Sequence, residues 1–252
     1  MCGRYSNRAD KEGEFSDLKL TFAIPDTRPE QIALRFNISP SARSGAEQPL
    51  ILLGQSGRQI RLGRFWFLQH EPRPGERLPT TFNARIETIT DKPLYRRAIE
   101  IQRCLIPATG WREFAASTEM RGAKRPYHFV PTDPDDRPSL SSPFFAFAGI
   151  YSTFRAEDGA LAHSFAIITQ AASPAVLPHH DRMPVIVPVS LYDAWLGPGP
   201  AQELLSLLQS RAHPGLDIYA SDPIANSPHY EGRLAVAQAP VTAALGEQRR
   251  LW

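Results

Sequence analysis

Sulfur is scarce in this chain, whose 252 residues hold two cysteines and three methionines. Cys2 and Cys104 cannot build a disulfide framework, and without a Cys-x-x-Cys pair they do not match the common zinc patterns. Long apolar runs are missing too: no stretch nears the ~20 residues needed to cross a bilayer. The N-terminus reads Met1-Cys2-Gly3-Arg4-Tyr5 and lacks the apolar core of a secretory leader, so a cytoplasmic protein is expected. Neither sign of charge is in large surplus. A net charge of +2 means that a polyanionic partner would have to meet a local basic groove. No internal repeat, no glycine-rich phosphate loop and no clustered metal ligands are present, so no cofactor and no metal are expected.

What remains is an ordinary globular composition, 42% apolar and 21% charged, with 24 prolines. Strand-type runs are scattered from end to end: Pro49 to Leu53, Arg61 to Phe67, Arg103 to Phe114, Phe144 to Phe154, His163 to Gln170 and Pro184 to Val187. Helical patterns are fewer. Pro93 to Ile101 carries a proline in its first turn, and Leu191 to Leu196 follows Ser190 with Asp193 three residues on, as in a capping box. Ala201 to Arg211 has an amphipathic leucine spacing. Gln69 to Pro79, Pro131 to Pro143 and Arg155 to Gly159 read as loops. Strands and helices do not alternate, which argues against a doubly wound parallel sheet. The expectation is an α+β fold: one domain of largely antiparallel, barrel-like sheets with peripheral helices. It would span residues 2–230, with 231–252 as a C-terminal extension.

Cys2 has a specific chemical potential. Removal of Met1 leaves an α-amine and a thiol on one residue, and an α-amine with a pKa of ~7.7–8.0 is partly neutral near neutrality. Such a 1,2-aminothiol traps an aldehyde in two steps, first as an imine and then as a five-membered thiazolidine. Taken alone, a cysteine at position 2 also has the plain reading of a frayed terminus.

Five motifs in order change that balance: Cys2-Gly3-Arg4-Tyr5, then Phe36-Asn37-Ile38-Ser39-Pro40-Ser41, then Asn83-Ala84-Arg85-Ile86-Glu87-Thr88, then the run from Arg103 through Trp111-Arg112-Glu113-Phe114, then His180-Asp181-Arg182-Met183-Pro184. Together they resemble the SOS-response-associated peptidase (SRAP) family, whose members process abasic sites. The resemblance runs from Cys2 to Asn226. It implies that Cys2 is the nucleophile toward C1′ of the opened deoxyribose. It implies that Asn83 holds the terminus and sugar, that Glu113 is the acid/base and that His180 is a second proton handler. Arg4, Arg85 and Arg182 are implied as phosphate contacts, with Asn37, Pro40 and Trp66 also on the DNA side. The implied partner is single-stranded DNA containing abasic sites, bound by a monomer away from any membrane.

The residue types suit that chemistry. Loss of water from a carbinolamine needs a general acid, which a carboxyl beside apolar neighbours can supply. Histidine titrates near neutrality, and arginine forks fit phosphate oxygens. Plainer roles exist for each: Asn37 and Asn83 as turn caps, Glu113 paired with an arginine, Trp111, Trp195 and Cys104 as core. Arg112 should point to the opposite strand face from Glu113, and His179 is off the motif register. The sequence departs from the family in two places, one of them the strand turn, which reads Trp111-Arg112-Glu113-Phe114 where the family tends to have Phe-Tyr-Glu-Trp, with the Glu kept. Where the family has Trp-Gly-Leu-x-Pro-x-Trp, this chain has Leu62-Gly63-Arg64-Phe65-Trp66-Phe67-Leu68-Gln69-His70. Two rival readings stand beside this one: an N-terminal-nucleophile peptidase or amidase, and a noncatalytic single-strand-binding module.

Overall fold

A computed structural model describes residues 3–8, 14–24, 32, 34–41, 47–116, 124–136 and 142–239. Cys2 and residues 240–252 of the expected C-terminal extension lie outside these. The elements in chain order are β1 (Tyr5–Ser6), α1 (Glu14–Thr21), β2 (Gln48–Gly54), β3 (Gly57–Phe65), β4 (Asn83–Arg85), α2 (Pro93–Ile101), β5 (Arg103–Ala108), β6 (Gly110–Ala116), β7 (Lys124–Pro131), β8 (Phe145–Arg155), β9 (Leu161–Ala171), β10 (Arg182–Pro184), β11 (Ile186–Val187), α3 (Tyr192–Leu196), α4 (Ala201–Ser210) and β12 (Leu216–Ala220).

The larger sheet closes on itself, β9 pairing in turn with β3, β2, β5 and β8, and β8 pairing back with β9. Closure removes the free edges that an open sheet of apolar strands would expose. Antiparallel pairing dominates, and only the β3–β9 and β4–β9 pairs are parallel. The β2–β3 hairpin turns over two residues and enters β3 at Gly57, whose φ of 108° suits only glycine. Strands β8 and β9 run together as far as the Gly149–Ile167 pair, and beyond it the chain of β10 and β11 is wedged between them. Val185 spans the gap: its N–H donates to the Ile168 carbonyl at 2.9 Å and its carbonyl accepts from Ala148 N–H at 2.8 Å.

Alternation along the barrel strands divides the core in two. Ile51, Leu105, Ala148, Ile150 and Ile168 face α2, α3 and α4. Leu50, Leu52, Cys104, Ile106, Phe147, Phe165 and Ile167 face the other way and meet Tyr5, Trp111 and Phe129 from the second sheet. That sheet, ordered β1-β6-β7-β12, is antiparallel throughout. Arg103 joins α2 and α3 to the barrel by donating to the carbonyls of Ile99, Glu100, Trp195 and Gly197 at 2.5–2.9 Å.

The α+β, barrel-like fold expected from the sequence is the fold observed. Three local readings change. The run from Arg103 to Phe114 is two strands in two sheets, broken at Thr109, whose N–H donates to the Ser6 carbonyl at 2.7 Å. Gly110 permits the crossing, because a Cβ there would collide with the His128 ring. The capping box at Ser190 does not form. The residue that caps α3 is Leu191, with no side-chain bond, and Asp193 instead accepts from Arg58 at 2.7 Å. Finally, β7 and β12 form a pair that the sequence reading missed, and β7 ends only at Pro131.

Candidate functional site

The ladder between β1 and β6 sets the position of Arg4 and Tyr5. Tyr5 lies opposite Trp111, and the Arg4 carbonyl accepts from Arg112 N–H at 2.9 Å.

Glu113 is 2% exposed. It shares a strand face with Trp111, which stacks on Phe129 at 5.1 Å, and its partner across the β6–β7 pair is Tyr127. Burial is the main cause of a pKa raised to about 8; the positive charge of the chain's α-amine opposes the rise and the negative charge of Asp181 adds to it. At neutral pH the carboxyl therefore holds its proton. Arg112 is fully buried on the opposite face, donating to the carbonyls of Phe36 and Ala235 and to Asn37 Oδ1.

His180 sits on the turn that begins at Ser173. Its N–H donates to the Val176 carbonyl at 3.1 Å. Burial lowers its pKa below the ordinary imidazole range, against the opposing pull of Asp181. Its Nδ1 is 2.9 Å from both the Arg182 N–H and the Asp181 carboxylate. The neutral ring satisfies the first contact by accepting from Arg182, which places its own proton on Nε2. Protonation of Nδ1 would turn that atom toward Asp181 instead.

Asn83 is carried on β4, in parallel register with Ile167, and its amide donates to the Ile167 carbonyl at 3.4 Å. Arg85, two residues on and opposite Thr169, is exposed. Arg182 grips Glu87 with both terminal nitrogens at 2.7 and 2.8 Å and gives a further bond of 2.7 Å to the Thr169 carbonyl. Partial burial works to raise the Glu87 pKa, but the Arg182 fork and the backbone N–H groups of Glu87 and Ala171 together outweigh it and hold the carboxylate below its usual range. Trp66 donates to the Pro79 carbonyl at 3.1 Å and leans on Phe82, the neighbour of Asn83, at 5.4 Å.

Asn83, Arg85, His180 and Arg182 thus gather around the C-terminal half of β9, and Asp181 acts electrostatically on both His180 and Glu113. Arg4 and Asn37 belong to the other face of the second sheet. The Arg4 guanidinium donates to Asn37 Oδ1 and to the carbonyls of Ala225 and Asn226 at 3.2–3.4 Å. Asn37 is 1% exposed, and its amide donates to the carbonyls of Ser227 and Tyr230. Pro40 lines a separate cleft of about 470 Å³ between the residue 35–41 segment and Pro228, His229 and Glu231. Cys104, Trp111 and Trp195 are core residues, and burial pushes the Cys104 thiol far above its ordinary range.

Sequence reasoning missed Glu87 as the partner of Arg182, although it lies inside the Asn83–Thr88 motif. It also passed over Tyr127 and His179, whose rings meet at 4.2 Å. The alternation of Tyr127 and Phe129 with His128 and Val130 was the available signal. Among the described residues, no group of three or more His, Cys, Asp or Glu is placed to hold a metal ion, and no helix is long and apolar enough to cross a membrane.

Several known proteins share this arrangement of chain. The Bacillus subtilis (strain 168) abasic site processing protein YoqW is 29% identical over 238 residues, which is 90% of this chain and 95% of that protein. The Escherichia coli (strain K12) abasic site processing protein YedK is 27% identical, covering 78% of this chain and 79% of its own. A crystal structure of a Bacteroides thetaiotaomicron protein superposes with a TM-score of 0.68 at 20% identity, covering 94% of this chain and all (100%) of the other. The family model described as SOS response associated peptidase (SRAP) matches residues 1–228, nine-tenths of the sequence, and the chain belongs to that family.

Proposed function

We propose that this protein processes abasic sites in single-stranded DNA by joining Cys2 covalently to the opened deoxyribose. The α-amine of Cys2, exposed by loss of Met1, adds to the C1′ aldehyde and gives a carbinolamine. Glu113 donates a proton to the departing hydroxyl, water leaves, the nitrogen gives a proton back to the Glu113 carboxylate, and an imine remains. The thiol then adds to the imine carbon, its proton passing to the nitrogen, and a thiazolidine closes. His180 exchanges a proton with the sugar hydroxyl freed by ring opening, and Asn83 orients the reacting end. Arg85 and Arg182 take the flanking phosphates, since an abasic site offers no base to read.

One observation supports this reading: β1 and β6 pair Tyr5 with Trp111, two residues before Glu113, a buried carboxyl whose pKa is raised to about 8. A general acid must hold a proton at working pH and stand beside the leaving oxygen. A peptidase using the Cys2 amine as its base has no need of such an acid.

Borohydride separates the possibilities. Abasic DNA reduced beforehand has no aldehyde and is expected to give no crosslink. Cys2→Ala keeps an amine but no thiol, so it is expected to crosslink only when borohydride is present during the reaction. Pre-reduced DNA that still crosslinks to the unaltered protein would overturn the mechanism. Intact mass should show Met1 removed.

A further inference from the structure

We propose that His179 is a positioning residue of this site, its ring closing the apolar wall around Glu113 and fixing the turn that carries His180. The proposal rests on the reading that Glu113 is the acid. The His179 ring lies 4.2 Å from that of Tyr127, tilted by 46°, and 5.4 Å from that of Phe129, edge-on at 77°. Tyr127 is the cross-strand partner of Glu113, and Phe129 is the partner of Trp111. His179 therefore covers the same sheet face from which the Glu113 carboxyl projects.

The contact is not that of a loose loop. His179 N–H donates to the carbonyl of Val176, a fully buried residue, at 2.8 Å. The next residue, His180, bonds the same carbonyl. Nδ1 of His179 is buried and has no hydrogen-bond partner among the described residues. The ring is thus held by its faces and edges rather than by polar bonds. Burial lowers its pKa, so at neutral pH it packs as an uncharged aromatic.

Without the ring, water reaches the Glu113 pocket and solvates the carboxylate. The surrounding charges are unaltered by that change, among them the positive α-amine of the chain, which lowers the pKa of both Glu113 and His180. His180 and Asp181 come from the turn, and Arg125 comes from β7 on the Tyr127 face. Lys124, next to it, acts on His180 through space.

The test uses the full-length protein labelled at the glutamate carboxyl carbon, with the Glu113 signal assigned by its loss in Glu113→Gln. The carbon shift is titrated in the free protein, and the single-turnover crosslinking rate with abasic single-stranded DNA is followed against pH. His179→Ala is expected to lower the Glu113 midpoint by at least about one pH unit. The high-pH limb of the rate should move down equally, about fivefold slower crosslinking at pH 8 and about tenfold slower well above it. His179→Phe, which restores a flat apolar ring, is expected to return both to the parent values. Where His179→Ala does not fold, His179→Asn brings a polar group into the wall and is read the same way. A Glu113 titration unmoved in these variants overturns the proposal, as does a Phe variant that behaves like Ala. The titration needs no DNA, so an unaltered protein that forms no crosslink counts against the proposed function and leaves the His179 question to the carbon shift.

Discussion

Replacing Glu113 with glutamine should stabilise the protein while disabling it, and the size of the stabilisation should depend on pH. The native carboxyl titrates near 8, against an ordinary 4.5. Because the folded pKa is raised, the contribution of this group to stability is complete below the unfolded pKa and is lost as pH climbs toward the folded one. At about 1.4 kcal/mol for each pH unit, the loss between pH 5 and pH 8 comes to roughly 3 to 4 kcal/mol. Glutamine has nearly the same shape and no titration. The stability of Glu113→Gln minus that of the parent should therefore grow by roughly 3 to 4 kcal/mol across that interval. For a domain of this size the gain corresponds to roughly 7–14 °C in Tm. Other ionisable groups are common to both proteins and cancel in the difference. Equilibrium urea unfolding at four pH values, followed by far-UV circular dichroism, measures it. Parallel stability profiles for the two proteins would refute the buried acid. The same substitution should slow crosslinking by ~10²–10⁴, the usual loss when a positioned general acid is removed.

Four further outcomes are expected. Glu87→Gln removes the carboxylate gripped by Arg182, so filter binding should show tighter noncovalent association with undamaged single strands; unchanged affinity would mean that phosphate never competes with Glu87. Arg85→Ala should reduce the salt slope of binding by about 0.7 and weaken all sequences alike, and a changed base preference would count against a phosphate contact. Arg112→Met withdraws the donors that hold Phe36 O, Ala235 O and Asn37 Oδ1 and should cost about 2–4 kcal/mol in urea unfolding. Gly110→Ala sets a methyl against the His128 ring and should cost about 1–3 kcal/mol, with a neutral result showing that the β5–β6 crossing has slack.

Composition and pattern alone determined the class of this fold. Scattered β-branched and aromatic runs without alternating helices lead to antiparallel sheets, and closure follows because so many apolar strands cannot leave edges in water. The sequence also named Glu113 and His180, since short motifs carry their residue types wherever the chain folds. Periodicity could not show that Arg103 to Phe114 changes sheets at Thr109, because the run stays apolar and β-prone on both sides of the break. The missing Cβ of Gly110, beside a histidine eighteen residues away in the chain, decides that crossing. In the same way, three arginines of similar motif character part company in space. Arg85 is exposed, Arg182 is held by Glu87, and Arg4 turns to the far face toward Asn37 and Ala225. Strand alternation and long-range register set those directions, and both depend on partners distant in sequence. The proton on Glu113 is likewise a property of the tertiary structure. An isolated glutamate ionises near 4.5, and burial beside Trp111, Tyr127 and Phe129, brought around it by β6 and β7, excludes the water that would solvate its charge.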